Sequence, residues 1–172
     1  PLAHMDTIGT VVLPIITIAL SMGTGFPMVF GWGKPVEISL SNPKTRKRID
    51  IIATAGGVAM NLVVAFVSAM LLAAFLLLGW ENMQEVALQS VYINCVLFVI
   101  NMIPIPPLDG SRFLKYAVDM SEHTYYAISR YGILILLLLV NIPFTASIFM
   151  FITRAIASVF IYAALLVVKL FS

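Results

Sequence analysis

From residue 51 to residue 78 the chain carries no charged side chain. A helix that crosses the hydrocarbon of a bilayer needs roughly 20 apolar residues, so this stretch is long enough to span with some to spare. In lipid every backbone N–H and C=O must be satisfied internally, which only helices and closed barrels achieve. Residues 49–78 are therefore expected to form a transmembrane helix, the surplus taken up by tilt or by protrusion at its basic end. Ala53, Ala55, Gly56, Gly57 and Ala59 give it a small-residue face suited to close helix packing. The whole 172-residue chain has the same character: 61% of it is hydrophobic and 10% charged, against about 25% charged in soluble domains. It reads as an integral membrane protein.

Four further apolar segments fit spans, at residues 8–30, 86–103, 125–140 and 145–170. The first is interrupted by Pro14 and Gly23-Thr24-Gly25, and the last two are separated by Asn141-Ile142-Pro143. Residues 110–120 fit a short amphipathic helix, and 34–40 alternate in the manner of a short strand. The expected fold is all-α and polytopic. It is a single domain over residues 1–172 with about five transmembrane helices, a short strand or hairpin in the 31–48 loop, and a broken helix at 101–110. Lys34, Lys44, Arg46, Lys47 and Arg48 mark loop 31–48 as cytoplasmic. Arg112 and Lys115 do the same for loop 104–124, while loop 80–85 has only acidic charge and faces outward. An inner or plasma membrane is the expected location. A net charge of +2 offers nothing for nucleic acid, so the expected partners are lipid and other membrane proteins. The one cysteine, Cys95, excludes an intrachain disulfide and reads as a small packed residue.

Chemistry concentrates in Asn101-Met102-Ile103-Pro104-Ile105-Pro106-Pro107-Leu108-Asp109-Gly110. Charge and broken backbone at the end of an apolar span persist only where protein or water surrounds them, and they point to a functional site. Pro106 and Pro107 remove backbone donors and disfavour helix before them, and Gly110 permits a tight turn. The segment is expected to be extended, then to bend and restart as a helix. Asp109 at that corner either binds a metal or a substrate group, or only turns the chain and caps the next helix. Asn61 and Asn101 offer donors and acceptors to a substrate or to a neighbouring helix, and Asn94 fits a packing hydrogen bond. His4 with Asp6 fits a shared metal or an interfacial pair. His123 fits a loop, and Arg154 a cation that snorkels, binds a lipid head group or pairs with a carboxylate. Neither histidine has a second four residues away, so no HExxH zinc helix is present in these 172 residues.

The run 101–110 resembles the NxxPxPxLDG motif of site-2 proteases, the intramembrane zinc metalloproteases of peptidase family M50. Pro1 to Thr10 resembles that family's NPxxHxDxxGT segment, and Phe30 to Val36 its FGWAKPV loop. Asn42-Pro43 followed by Ala55 to Asn61 resembles NPR…AGPxxN, with Gly57 standing where the pattern has Pro. The four stretches follow the family's order over roughly the first two thirds of the chain. The resemblance implies that Asp109 is a zinc ligand and that Asn61 and Asn101 lie near the active site. It implies that Pro104, Pro106 and Gly110 shape that site, and that the loop at 34–40 guides a substrate strand. Its chemistry is zinc-assisted hydrolysis of a peptide bond within or beside a transmembrane helix, with the HExxH Glu as general base. It further implies that the native protein carries its HExxH helix ahead of Pro1. Without that helix these residues alone are expected neither to hold catalytic zinc nor to cleave peptides. The alternative is a non-catalytic scaffold or accessory subunit of a larger membrane complex. A transporter fits less well, since no inverted repeat is visible.

Overall fold

The computed structural model describes residues 43–171. The expected first span, the 34–40 strand and the His4–Asp6 pair lie outside the described residues. Five helices follow one another: α1 (Pro43–Leu78), α2 (Glu81–Asn101), α3 (Gly110–Ala117), α4 (Glu122–Asn141) and α5 (Pro143–Phe171). Three are long and apolar enough to cross a membrane, over Lys47–Leu78, Glu81–Asn101 and Pro143–Phe171. The fourth expected span coincides with α4, which is not one of the three. Among the described residues there is no strand. Residues 43–48, expected to close the cytoplasmic loop, instead form the first turns of α1. Pro43 suits the first helical position, where its missing N–H would be unsatisfied anyway.

Helix ends follow from a few residues. At the end of α1, Gly79 takes a positive φ of 70°. Trp80 N–H then reaches back to the Phe75 carbonyl at 3.0 Å, and the Phe75 and Trp80 rings stack at 5.8 Å. This is the Schellman closure, with the apolar contact that usually accompanies it. Asp119 performs the same turn after α3, at φ 46°, with Met120 N–H on the Lys115 carbonyl at 2.8 Å. Ser121 caps α4 by accepting the Thr124 N–H at 3.1 Å. His123, expected in a loop, is an exposed residue of that helix's first turn. Pro143 ends α4 by forcing Ile142 into extended backbone (φ −78°, ψ 120°), and then opens α5.

The core is made by α1, α2 and α5. Ala65, Ala69 and Ala73 recur every fourth residue on one face of α1 and are buried against Ala87, Val91 and Cys95 of α2 and Ala157 and Ala164 of α5. Small side chains let helix backbones approach where no hydrophobic effect drives them together. The small-residue face expected at 53–59 is different: Ala53, Ala55, Gly56, Gly57 and Ala59 are all exposed, and Ala65, Ala69 and Ala73, about two to four turns further on, do the packing. Cys95 is fully buried, as a small packed residue should be. Ser68 and Ser90 hydroxyls join α1 to α2 at 2.8 Å. Asn94 bonds back to the Ser90 carbonyl of its own helix at 2.9 Å and not across to a neighbour. Arg154 is exposed on α5.

Replacing Gly79 by Ala puts a Cβ on a backbone with positive φ. The expected cost is about 1 kcal/mol, read as a drop of roughly 2–4 °C in the thermal midpoint in detergent. An unchanged midpoint would remove Gly79 as the reason α1 stops.

Candidate metal centre

Helix α2 ends at Asn101 and α3 begins at Gly110, so the helix break expected at 101–110 is present. Its form differs from expectation. The segment is a chain of tight turns instead of an extended run. Ile105 N–H bonds to the Ile103 carbonyl at 2.8 Å, Leu108 N–H to Ile105 at 2.9 Å, and Ser111 N–H to Leu108 at 3.1 Å. At the edge of a membrane a free backbone donor is costly, and these bonds satisfy donors locally while the prolines have none to satisfy. Ile103 and Pro106 are buried beneath the turns and Pro104 is exposed. Gly110 lies so close to the Met102 carbonyl that any side chain there would overlap it. The loop therefore closes on itself, its last residue against its first.

Asp109 sits at the N-cap position of α3 but makes no side-chain cap hydrogen bond, and its own backbone is helical (φ −59°, ψ −39°). Capping does not account for the carboxylate. It points toward α1, where a Cβ on Gly57 would lie 3.8 Å from Oδ2. Asn61 is half-buried one helical turn beyond Gly57, on the same side of α1. Asn101, also half-buried, closes α2 at the other end of the loop. The structure thus joins Asp109 and Gly110 to the start of the loop and to the Gly57 face of α1. Asn61 shares that face, without a contact to Asp109.

Burial pushes the Asp109 carboxyl above the usual aspartate range. Neighbouring Asp50 adds to the rise, and the Arg112 guanidinium opposes it. Asp50 anchors the region. Its half-buried carboxylate pairs with Arg112 and accepts the Tyr116 hydroxyl at 2.6 Å, tying α3 to the N-terminal end of α1. Lys47, one turn earlier, donates to the Tyr116 carbonyl and to Asp119, both at 3.2 Å. Lys115 is buried, pairs with Glu122 at 2.7 Å, and lies over the rings of Tyr116 and Tyr125 at 5.2 and 4.8 Å.

A catalytic zinc takes three protein ligands and leaves one position open. Among the described residues no three His, Cys, Asp or Glu side chains lie together. What they provide fits one corner of such a centre: a carboxylate not spent on capping, facing helix backbone that bears no side chain. They do not fit the whole centre.

Residues 77–139 match the family model described as "Peptidase family M50". Over 151 residues the chain is 26% identical to "Putative zinc metalloprotease YwhC" of Bacillus subtilis (strain 168), a match covering 83% of this chain and 64% of that protein. Over these residues the chain is similar to peptidase family M50. It spans a little under two thirds of the length of this curated relative, and no solved structure matches it. The stretch matched by the family model contains the whole turn-rich loop, Asp109, α3 and nearly all of α4.

Sequence reasoning passed over four residues that build the site. Asp50, Ser111, Tyr125 and Gly132 hold the loop and its helix. Gly132, alone in the apolar run of α4, was open to recognition, because an isolated glycine within a helical pattern often marks close backbone approach.

Replacing Asp109 by Asn removes a desolvated charge and no helix cap. A raised folded-state pKa means that the protonated carboxyl stabilises the fold at low pH, and that this contribution is lost as pH rises through the folded value. In metal-free protein the Asn variant should melt a few degrees above the parent near pH 8. Its advantage should shrink as the pH falls toward the ordinary aspartate value of about 3.9. Paired melting curves at pH 8 and pH 5 check this. An Asn variant that melts lower at both would mean that the carboxylate supports the fold.

Proposed function

We propose that this chain supplies Asp109 as one ligand of a hydrolytic zinc centre that cleaves a peptide bond within or next to a transmembrane helix. The observation that carries the reading is the Asp109 carboxylate itself. It is pushed up by burial, makes no cap, and is aimed at the bare backbone of Gly57 from a loop locked by its own hydrogen bonds. A part-buried carboxylate left without a hydrogen-bond donor costs stability, and such groups concentrate at functional sites. Similarity to peptidase family M50 suggests the reaction class, and similarity to a protein described as a putative zinc metalloprotease suggests the metal.

Under this reading zinc, when bound, provides Lewis-acid activation of water near neutral pH. The work of this chain is to hold a deprotonated carboxylate at a fixed point. Asn101 and Asn61 offer amide donors and acceptors to a substrate strand, one from each flanking helix. Pro104, Pro106 and Gly110 keep the loop from relaxing into helix. The remaining zinc ligands and the general base come from residues beyond those described. The distribution of Lys and Arg supports a cytoplasmic position for loops 31–48 and 104–124, and with it for Asp109, in a prokaryotic inner or plasma membrane. Residues 8–30 and α4 complete a set of about five membrane helices. A non-catalytic scaffold keeps a place because no three ligands group among the described residues.

Metal content separates the two. The complete natural protein, purified in detergent, should hold about one zinc per chain. Asp109→Ala should lose the metal and lower cleavage of a transmembrane peptide at least 100-fold, on the order of the loss seen when catalytic machinery is dismantled. Metal-free protein, or zinc that survives Asp109→Ala, would favour the scaffold.

A further inference from the structure

The loop that carries Asp109 is gripped from one side by a single helix face. Ser111 is buried, and its hydroxyl donates its one hydrogen to the Leu108 carbonyl at 2.6 Å. The contact with the Tyr125 hydroxyl at 2.9 Å must then run the other way, with Tyr125 donating to Ser111. The Leu108 carbonyl also accepts the Ser111 N–H at 3.1 Å, so the peptide plane that enters Asp109 is held by two bonds, one of them braced from α4. The Tyr125 ring is itself fixed beneath the Lys115 ammonium at 4.8 Å.

The second grip lies seven residues along α4, two turns further on the same face. Gly132 is buried directly against the Pro106 carbonyl, and a Cβ placed there would overlap that oxygen. The two points bracket Asp109, Pro106 three residues before it and Ser111 two residues after. Tyr125 reaches Ser111 and Gly132 reaches Pro106, and neither hydrogen-bonds the carboxylate, so their effect on it is indirect.

We propose that α4 is the template for the Asp109 carboxylate, with Tyr125 and Gly132 as positioning residues for the zinc centre. This rests on the reading of Asp109 as a ligand. A ligand carried on a loop is only as well placed as the loop. Outer partners of metal ligands are worth about 10–100-fold in affinity or activity, and a displacement near 1 Å can cost about 100-fold in rate.

The test uses the complete natural protein in detergent, as Tyr125→Phe, Gly132→Ala, Asp109→Ala and Ser68→Ala. The last removes a hydroxyl pair of the α1–α2 packing, away from the loop. Zinc affinity is read by chelator competition, kcat and KM on a transmembrane peptide, and the thermal midpoint on zinc-free protein. Tyr125→Phe should weaken zinc about 10-fold and Gly132→Ala about 10–100-fold, with kcat falling and KM steady. Ser68→Ala should lower the midpoint and leave zinc affinity alone. Because Gly132→Ala can fail to fold, Tyr125→Phe carries the test by itself. If Asp109→Ala loses zinc while Tyr125→Phe keeps parental affinity and kcat, the template role is overturned and the ligand reading stands. If Asp109→Ala keeps its zinc, both fall.

Discussion

Backbone that leaves a helix at the boundary of a membrane must find partners for its polar groups inside the protein. Most of what is distinctive in this structure answers that requirement between Asn101 and Gly110. The solution has three parts. Prolines remove donors, tight turns satisfy several that remain, and glycines at 110 and 132 let the backbone pack where side chains would intervene. A loop built this way has little freedom, and that makes it a usable platform for a charged side chain.

The second requirement is charge at the N-terminal end of α1. At 1.5 Å per residue α1 is about 54 Å long against a hydrocarbon thickness of about 30 Å, so its surplus must lie outside the apolar layer. The surplus is where the ion pairs gather. Asp50 receives Arg112 and Tyr116, and Lys47 reaches Asp119. Exposed pairs of this kind stabilise little one by one. Here they share residues and close onto α3 from several directions, which fixes the short helix that starts at the candidate ligand. α3 has only eight residues, too few to be stable in isolation, and depends on this network.

The spans at α1, α2 and α5 were legible because hydrophobic length alone dictates them. The break at Asn141-Ile142-Pro143 was legible because proline restricts its predecessor. Asp109 was legible as a residue of interest through the cost of a carboxylate beside an apolar span, although spacing alone did not separate a ligand from a cap. The conformation of 102–109 was not legible. Proline rules exclude helix but do not choose between an extended segment and successive turns, and the turns seen pack Pro106 against Gly132, 26 residues away in sequence. The face of α1 that packs was misplaced for a related reason. Small residues occur at 53–59 and again at 65, 69 and 73, and only the partner helices decide which set is covered.

Gly57 shows how a departure from the motif fits the site. A proline there would be expected to bend the helix by clashing with the carbonyl four residues earlier. With glycine, α1 runs unbroken from Pro43 to Leu78, and the face opposite the Asp109 carboxylate carries only hydrogen. A methyl group could be accommodated, since its nearest neighbour would be Oδ2 at 3.8 Å, an ordinary van der Waals distance. Steric exclusion is therefore not what makes glycine suitable. An alanine would place hydrocarbon against a carboxylate whose difficulty is already burial, pushing it further toward its protonated form. On the proposed reading of Asp109 as a ligand, which must be deprotonated to bind metal, glycine at this position keeps the nearest wall of the site from adding to that cost.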